Sequence, residues 1–347
     1  MSQIVDSCPV GAVAQRGWVE NLLVPALRKA VAALPPAEGR VAGYHRGWCE
    51  ADGSPSPGTA GGGGKSVRPR LAMLSSVAVG GTAADAVPAA VAVELVHDFT
   101  LLHDDVIDGD ALRRYRPAAW SAFGTPAALL TGDALLVSAL SVVSEVPRSG
   151  EGAVRELVHA LLDLVRGQSD DVAFEAARQV SVAEYLAMAE GKTGALMGCA
   201  CALGGVLAGA DAEQVDGLRG FGRRLGVAFQ CADDLLGIWG SSARSGKPVG
   251  ADLAARKKSL PVVAALAEGG PASRRLRGLY GSSRPFREGD IALATRLVEE
   301  AGGRRAAEEE ARRQVTMALR SLSRARPGAQ VYGQLRDIAG DMIGRER

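Results

Sequence analysis

The stretch Glu94–Trp120, ELVHDFTLLHDDVIDGDALRRYRPAAW, decides how this chain is read. It is an apolar run interrupted by His97, Asp98, His103, Asp104, Asp105, Asp108, Asp110, Arg113 and Arg114. Taken as a helix, it places Asp104 and Asp108 one turn apart on one face. Two carboxylates so placed repel each other unless a cation lies between them. His97 sits two turns earlier, near the same face, and Arg113, Arg114 and Arg116 follow at once. Acids in front and arginines behind suit a polyphosphate. A hard divalent cation bridges carboxylate and phosphate oxygens, and guanidinium groups hold the remaining oxygens. The competing reading is a solvated helix end with surface ion pairs, and a single DDxxD does not separate the two.

A second acidic pair, Asp233-Asp234, lies in FQCADDLLGIWG, again inside an apolar, helix-compatible run. Two such clusters, far apart in the chain, are hard to bury unless they face each other across a metal-filled site. Cations stand at glycine-rich or loop boundaries, where phosphate can approach the backbone: Lys65, Arg68, Lys192, Lys247 and Lys257. Together with Arg113 and Arg114 they exceed the needs of one phosphate. They suit two diphosphates, one with metal and one without. No Ser/His/Asp or Cys/His nucleophile arrangement is evident.

The composition bounds the fold. The chain has 347 residues, 47% of them hydrophobic but only 4% aromatic, and Ala, Leu, Val and Gly dominate. That composition favours closely packed helices over a β-sandwich. A net charge of +1 gives no sign of a nucleic-acid partner. The five cysteines (Cys8, Cys49, Cys199, Cys201 and Cys231) have no zinc-ligand spacing and are expected to be reduced in a cytoplasmic protein. The start of the chain lacks a signal-peptide progression. The longest uncharged run, Gly194 to Ala210, is rich in Gly and Ala and reads as a buried helix rather than a membrane segment.

Residues 1–14 are expected to fray, and one helical domain is expected from 15 to 347. Its loops fall near 50–64, 240–250 and 268–290. Between them the pattern predicts helices over 71–79, 89–102, 126–143, 155–167 and 220–239, with Asp170, Asp171 and Glu175 at helical offsets over 168–175. A long charged helix follows over 291–322. No alternating strand pattern, GxGxxG after a strand or fixed-period repeat occurs. The expected architecture is all-α, a helical bundle with its site in the core.

The chain resembles the trans-isoprenyl diphosphate synthases, or polyprenyl synthetases, of the geranylgeranyl type. The likeness runs from about Gly62 to Pro261. It rests on GGKSVRP, ELVHDFTLLHDDVIDGDALRRYRP, GDALL, GKTGAL, FQCADDLL and GKPVGADLAARKKSLP, in that order. The resemblance implies the isoprenoid synthase bundle with a central active-site cavity, Mg2+ as cofactor, and a homodimer. It implies that Asp104, Asp105 and Asp108 bind Mg2+ and, through it, an allylic diphosphate. Asp233 would hold a further Mg2+ with Asp234 supporting it. Arg113, Lys192, Lys247 and Lys257 would contact the allylic diphosphate. Lys65, Arg68, His97 and Arg114 would bind isopentenyl diphosphate without metal. Thr193 and Gln230 would offer oxygen dipoles to a carbocation. The implied reaction is ionisation, condensation and elimination, with the departed diphosphate taking the last proton.

Three positions depart from the family pattern. The second motif ends at Gly237 instead of a third aspartate, so weaker metal binding is expected. Tyr115 stands where many relatives have Gly, and Ala118 where Thr is common. The missing acid leaves room for a terpene cyclase or a non-catalytic subunit. The nearly complete isopentenyl diphosphate set argues against the first, and the intact first motif against the second. Product length turns on Phe99, five residues before Asp104 and about 7.5 Å along a helix axis, beside the small Thr100. In the family, bulk there limits chain growth to about the geranylgeranyl length. Phe99 reads equally well as ordinary core.

Overall fold

A helix that is apolar on every side belongs inside a protein. Residues 89–96, apolar except for Glu94, approach that condition, and all eight are buried in a helix running Val87–Ile107. The computed structural model describes residues 15, 17–56, 66–147, 150–240, 250–282 and 284–344. Lys65, Lys247, the segment expected to fray (1–14) and the glycine run 61–64 lie outside the described residues, as does 241–249.

In chain order, a π-helical turn Val19–Leu23 leads into α1 (Val24–Ala32), α2 (Pro36–His45), α3 (Val67–Ala78) and α4 (Val87–Ile107). A two-residue hairpin follows, β1 (Leu112–Arg113) with β2 (Arg116–Pro117), then α5 (Ala119–Phe123), α6 (Thr125–Ser144) and α7 (Gly150–Ala176). Next come α8 (Val182–Ala189), a π-helical turn Glu190–Gly194, α9 (Ala195–Leu207) and α10 (Ala212–Trp239). The chain closes with α11 (Ala251–Ala254), α12 (Leu260–Glu268), α13 (Pro271–Tyr280), α14 (Glu288–Glu300), α15 (Gly303–Arg324) and α16 (Ala329–Ile343). The described residues are thus almost entirely helical, as the composition predicts.

Two compact units divide these elements, with boundaries inside helices. The first takes residues up to Leu157, Cys199–Leu218 and Arg324–Leu335; the second takes Val158–Gly198, Arg219–Ser323 and the chain from Arg336. In the first unit α4 packs on α6 and α3. The face of α6 carrying Ala128, Thr131, Leu135, Ala139 and Val143 is buried, while Leu130 and Val137 on its outer side are exposed. Among the described residues α6 is the one helix long and apolar enough to cross a membrane, with a mean hydropathy of 1.8 over its apolar window. The expectation fixed on Gly194–Ala210 instead; residues 195–205 there are buried. In the second unit Tyr185, Met188, Val227, Cys231, Leu235, Leu260 and Val263 form one apolar cluster with Ala307 and Ala311.

Several expected boundaries move for identifiable reasons. The helical patterns expected over 155–167 and 168–175 join in one helix, α7, and the glycine between them, Gly167, marks a close approach. A β-carbon there would lie 2.2 Å from the Lys192 nitrogen. The long charged helix expected over 291–322 is two helices. Gly302, at φ +75°, breaks it in a left-handed conformation that only glycine adopts without strain. The polar stretch 268–290, expected as loop, contains α13, whose Leu276 is buried.

Candidate active site

The first acidic cluster belongs to the first unit. Asp104 and Asp105 occupy the last turn of α4, and Asp108 is its C-cap. Asp105 is buried, with its carboxylate gripped by Arg113: Nε donates to both oxygens at 2.9 and 2.8 Å, and Nη2 donates at 2.6 Å. Asp104 is half-buried and Asp108 exposed. The hairpin makes this grip possible. Leu112 pairs with Pro117 and Arg113 with Arg116, across turn residues Arg114 and Tyr115 at φ +51° and +64°. Two consecutive left-handed residues are what a two-residue hairpin turn requires. This accounts for the departure at Tyr115: the position favours glycine, and tyrosine occupies it with a strained backbone. Ala118 is the N-cap of α5, where no side-chain bond forms; threonine would supply one.

The hairpin is anchored on both sides. Arg116 donates to Glu50 at 2.9 Å and lies 4.4 Å from the Tyr44 ring, whose hydroxyl donates to the Pro117 carbonyl. Trp120 Nε1 donates to the Asp110 carbonyl. Upstream, Arg68 lies in the first turn of α3, and His97 is half-buried on α4. Loss of water around the ring, then the Arg68 charge, holds His97 well below the usual imidazole range, so it is neutral. Phe99 is buried in edge contact with the His103 ring at 4.7 Å. Thr100 donates to the His97 carbonyl at 2.7 Å, turning its hydroxyl back onto the helix.

The second cluster belongs to the second unit and is built differently. Asp233 is exposed on α10 and Asp234 is buried. Asp234 accepts from Tyr185 Oη at 2.5 Å, the Leu260 N–H at 2.7 Å and Gln230 Nε2 at 3.0 Å. Burial pushes its carboxyl up to about 7 against the pull of those three donors. Gln230 in turn accepts from the Thr193 hydroxyl at 2.8 Å, giving a chain from Thr193 through Gln230 to Asp234. Lys192 and Thr193 both lie in the π-helical turn between α8 and α9. Such turns recur at functional sites because they reorient side chains within a helix. Lys192 donates to Asp171 of α7 at 2.5 Å. Lys257 is exposed just after α11.

The space beside Gly237 is taken. A β-carbon at 237 would lie 2.0 Å from Asp252 Oδ2. Gly237 follows Asp233 by one helical turn on α10. The Asp252 carboxylate, arriving from α11, therefore stands where the absent third acid of the motif would begin. The motif GKPVGADLAARKKSLP contains Asp252, but nothing in its spacing tells which acid reaches α10. Tyr185 and Asp171 were also not assigned as partners, since they lie far along the chain from the groups they hold.

The donors suit a hard divalent cation. Mg2+ is commonly held by one or two carboxylates, with phosphate and water oxygens completing the shell. Asp104 and Asp108 on α4 and Asp233 on α10 are outward-lying oxygen donors of this kind. Asp105 and Asp234 are the buried members of the two pairs, held by Arg113 and by three neutral donors. No group of three metal-ligating side chains converges among the described residues.

Comparison with known proteins identifies the family. The polyprenyl synthetase family profile matches residues 55–298. A geranylgeranyl diphosphate synthase of Mycobacterium tuberculosis is 45% identical over 300 residues, covering 86% of this chain and 85% of that one. A (2E,6E)-farnesyl diphosphate synthase of the same species is 40% identical over 334 residues, covering 95% and 92%. The crystal structure of a polyprenyl synthetase from Streptomyces coelicolor superposes with a TM-score of 0.90 at 44% identity, covering 96% of this chain and 100% of that one. A polyprenyl synthase from Caulobacter crescentus, complexed with calcium and isoprenyl diphosphate, matches with a TM-score of 0.80 at 27% identity, covering 98% and 99%.

Proposed function

We propose that this chain, which belongs to the polyprenyl synthetase family and is a short-chain isoprenyl diphosphate synthase, makes geranylgeranyl diphosphate. Its substrates would be isopentenyl diphosphate and an allylic diphosphate. The observation that carries the length is Phe99, buried on α4 five residues before Asp104. Synthases of both lengths are similar to this chain, at 45% and 40% identity, so the length rests on Phe99.

The family is one of divalent-metal-dependent prenyltransferases, and Mg2+ is the metal we propose. Asp104 and Asp108 would hold it in the first unit, and Asp233 in the second. Bound there, it would supply Lewis-acid stabilisation of the departing allylic diphosphate. Asp105 would act through Arg113, fixing the hairpin against the end of α4. Arg68, His97 and Arg114, with Lys65, would take isopentenyl diphosphate. The neutral His97 can donate one hydrogen bond without adding charge. Lys192 would exchange Asp171 for a phosphate oxygen, with Lys247 and Lys257 as further cations. Thr193 and Gln230 orient each other, so their oxygen dipoles are preorganised toward developing positive charge. Asp234, locked by three donors, would position Gln230.

The missing acid at Gly237 no longer favours a cyclase or a non-catalytic subunit, because Asp252 occupies the adjoining space. A homodimer is proposed with the family; the exposed Leu130 and Val137 on α6 are the apolar surface a second copy would cover. Cytoplasmic placement is proposed with it, since the four described cysteines are all free.

Product analysis tests the reading. The protein is incubated with Mg2+, isopentenyl diphosphate and, in turn, allylic diphosphates of five, ten and fifteen carbons; the dephosphorylated alcohols are then identified. A twenty-carbon alcohol is expected, with longer products from Phe99→Ala. A fifteen-carbon end product from the wild type overturns the length assignment.

A further inference from the structure

Beneath the residues assigned to the metal-free diphosphate lies a buried charge network that the reaction scheme leaves unused. Arg46 caps the C-terminus of α2. Its Nη2 donates to Glu94 Oε2 at 2.8 Å, and its Nη1 lies 3.1 Å from Asp98 Oδ2. All three are buried, with relative exposures of 8%, 8% and 3%. Glu94 and Asp98 are one turn apart on α4, so their charges reinforce each other. His97 stands next to Asp98 in the same helix. Arg68 lies within electrostatic reach of Glu94, and Arg114 within reach of both acids and of Arg46. Arg68 Nε is buried without a hydrogen-bond partner, as is His45 Nε2, which lies 3.8 Å from Asp98 Oδ1.

Two buried carboxylates next to an anion site oppose its purpose. Uncompensated, they repel the incoming diphosphate, or they draw in the cations meant for it. Three arginines are near enough to offset them, and Arg46 is the one in direct contact with both acids. Its guanidinium also packs 5.3 Å from the Trp48 ring, which holds it in place. We propose that Arg46 is a positioning residue for the metal-free diphosphate: by pairing with Glu94 and Asp98 it offsets part of their charge and keeps Arg68 and Arg114 available to that substrate. This rests on the assignment of Arg68, His97 and Arg114 to isopentenyl diphosphate made above.

The test is calorimetric titration of the full-length protein with isopentenyl diphosphate in metal-free buffer, alongside KM values for both substrates. Arg46→Leu is expected to raise the Kd and KM for isopentenyl diphosphate about tenfold or more, from one uncompensated buried charge nearby. The KM for the allylic diphosphate should stay within about twofold, a split that a merely structural role would not produce. Adding Asp98→Asn and Glu94→Gln to Arg46→Leu removes the acids that need a partner and should restore most of the affinity. Asp98→Asn alone keeps Arg46 paired to Glu94, so it answers the question even where Arg46→Leu does not fold. It should tighten isopentenyl diphosphate binding. Unchanged binding in a folded Arg46→Leu, no restoration in the triple variant, or weaker binding in Asp98→Asn would each overturn the proposal. A wild type that binds no isopentenyl diphosphate overturns the substrate assignment itself, and the role of Arg46 with it.

Discussion

Two Asp-Asp pairs sit in two units of one chain, and their buried members are stabilised in opposite ways. Asp105 in the first unit meets a full positive charge from Arg113. Asp234 in the second meets only neutral donors: a phenol, an amide and a backbone N–H. The first arrangement sets a full opposite charge against the carboxylate. The second leaves a carboxyl whose charge is costly, which is why it is pushed up to about 7. The same dipeptide is thus held by a salt bridge at one place and by neutral hydrogen bonds at the other.

Removing the partners should expose this difference most strongly. Arg113→Leu removes the salt-bridge partner of a buried carboxylate and is expected to cost about 3–5 kcal/mol in denaturant unfolding. Tyr185→Phe removes one neutral donor of three and should cost only about 1–2 kcal/mol. Equal losses would break the contrast.

A pH series separates the two next. Asp234 has a folded value near 7 against 3.8 for the free side chain, and Asp98 in the first unit is pushed to about 7 as well. For Asp98 the cause is burial, with Glu94 adding to it while Arg46 and Arg114 oppose it and His45 stands beside it. A carboxyl raised on folding contributes stability that is full below about pH 4 and lost as pH climbs toward 7, because the unfolded chain releases its proton first. Stability should therefore fall across that window, less steeply in Asp234→Asn and in Asp98→Asn. A flat profile in the wild type would contradict both.

Gly237→Asp probes the second pair without touching its buried member. The new side chain would meet the Asp252 carboxylate at clash distance and with like charge. Metal affinity, read by Mn2+ titration, should fall several-fold, and Asp252→Gly in the same chain should recover it. The smallest effect belongs to the hairpin that serves Asp105. Tyr115 is 81% exposed at a positive φ, so Tyr115→Gly should relieve strain and raise stability by about 1 kcal/mol, measured as an upward shift in Tm.

What could be read in advance follows the same division. Helical class, both acidic clusters and the cations around them are local features, carried by period, spacing and charge type. Which acid of each pair is buried was not legible. Neighbouring residues on a helix diverge by about 100°, and only packing decides which one turns inward. Tyr185, Asp252 and Arg46 escaped because each is joined to its partner by folding rather than by sequence. The close approach at Gly167 has the same root. A glycine in a helical pattern signals either an end or a close neighbour, and the neighbour, Lys192, is distant in the chain.

The hairpin also changes how the chain looks to a charged ligand at a distance. Three arginines lie within four residues, yet Arg113 is cancelled by Asp105 and Arg116 by Glu50. No salt bridge to Arg114 forms among the described residues. Beyond a Debye length, about 8 Å at physiological ionic strength, the cluster therefore acts as roughly one positive charge instead of three. Diphosphate capture at this edge should depend only weakly on added salt. Selectivity here would arise from short-range hydrogen-bond geometry, not from long-range attraction.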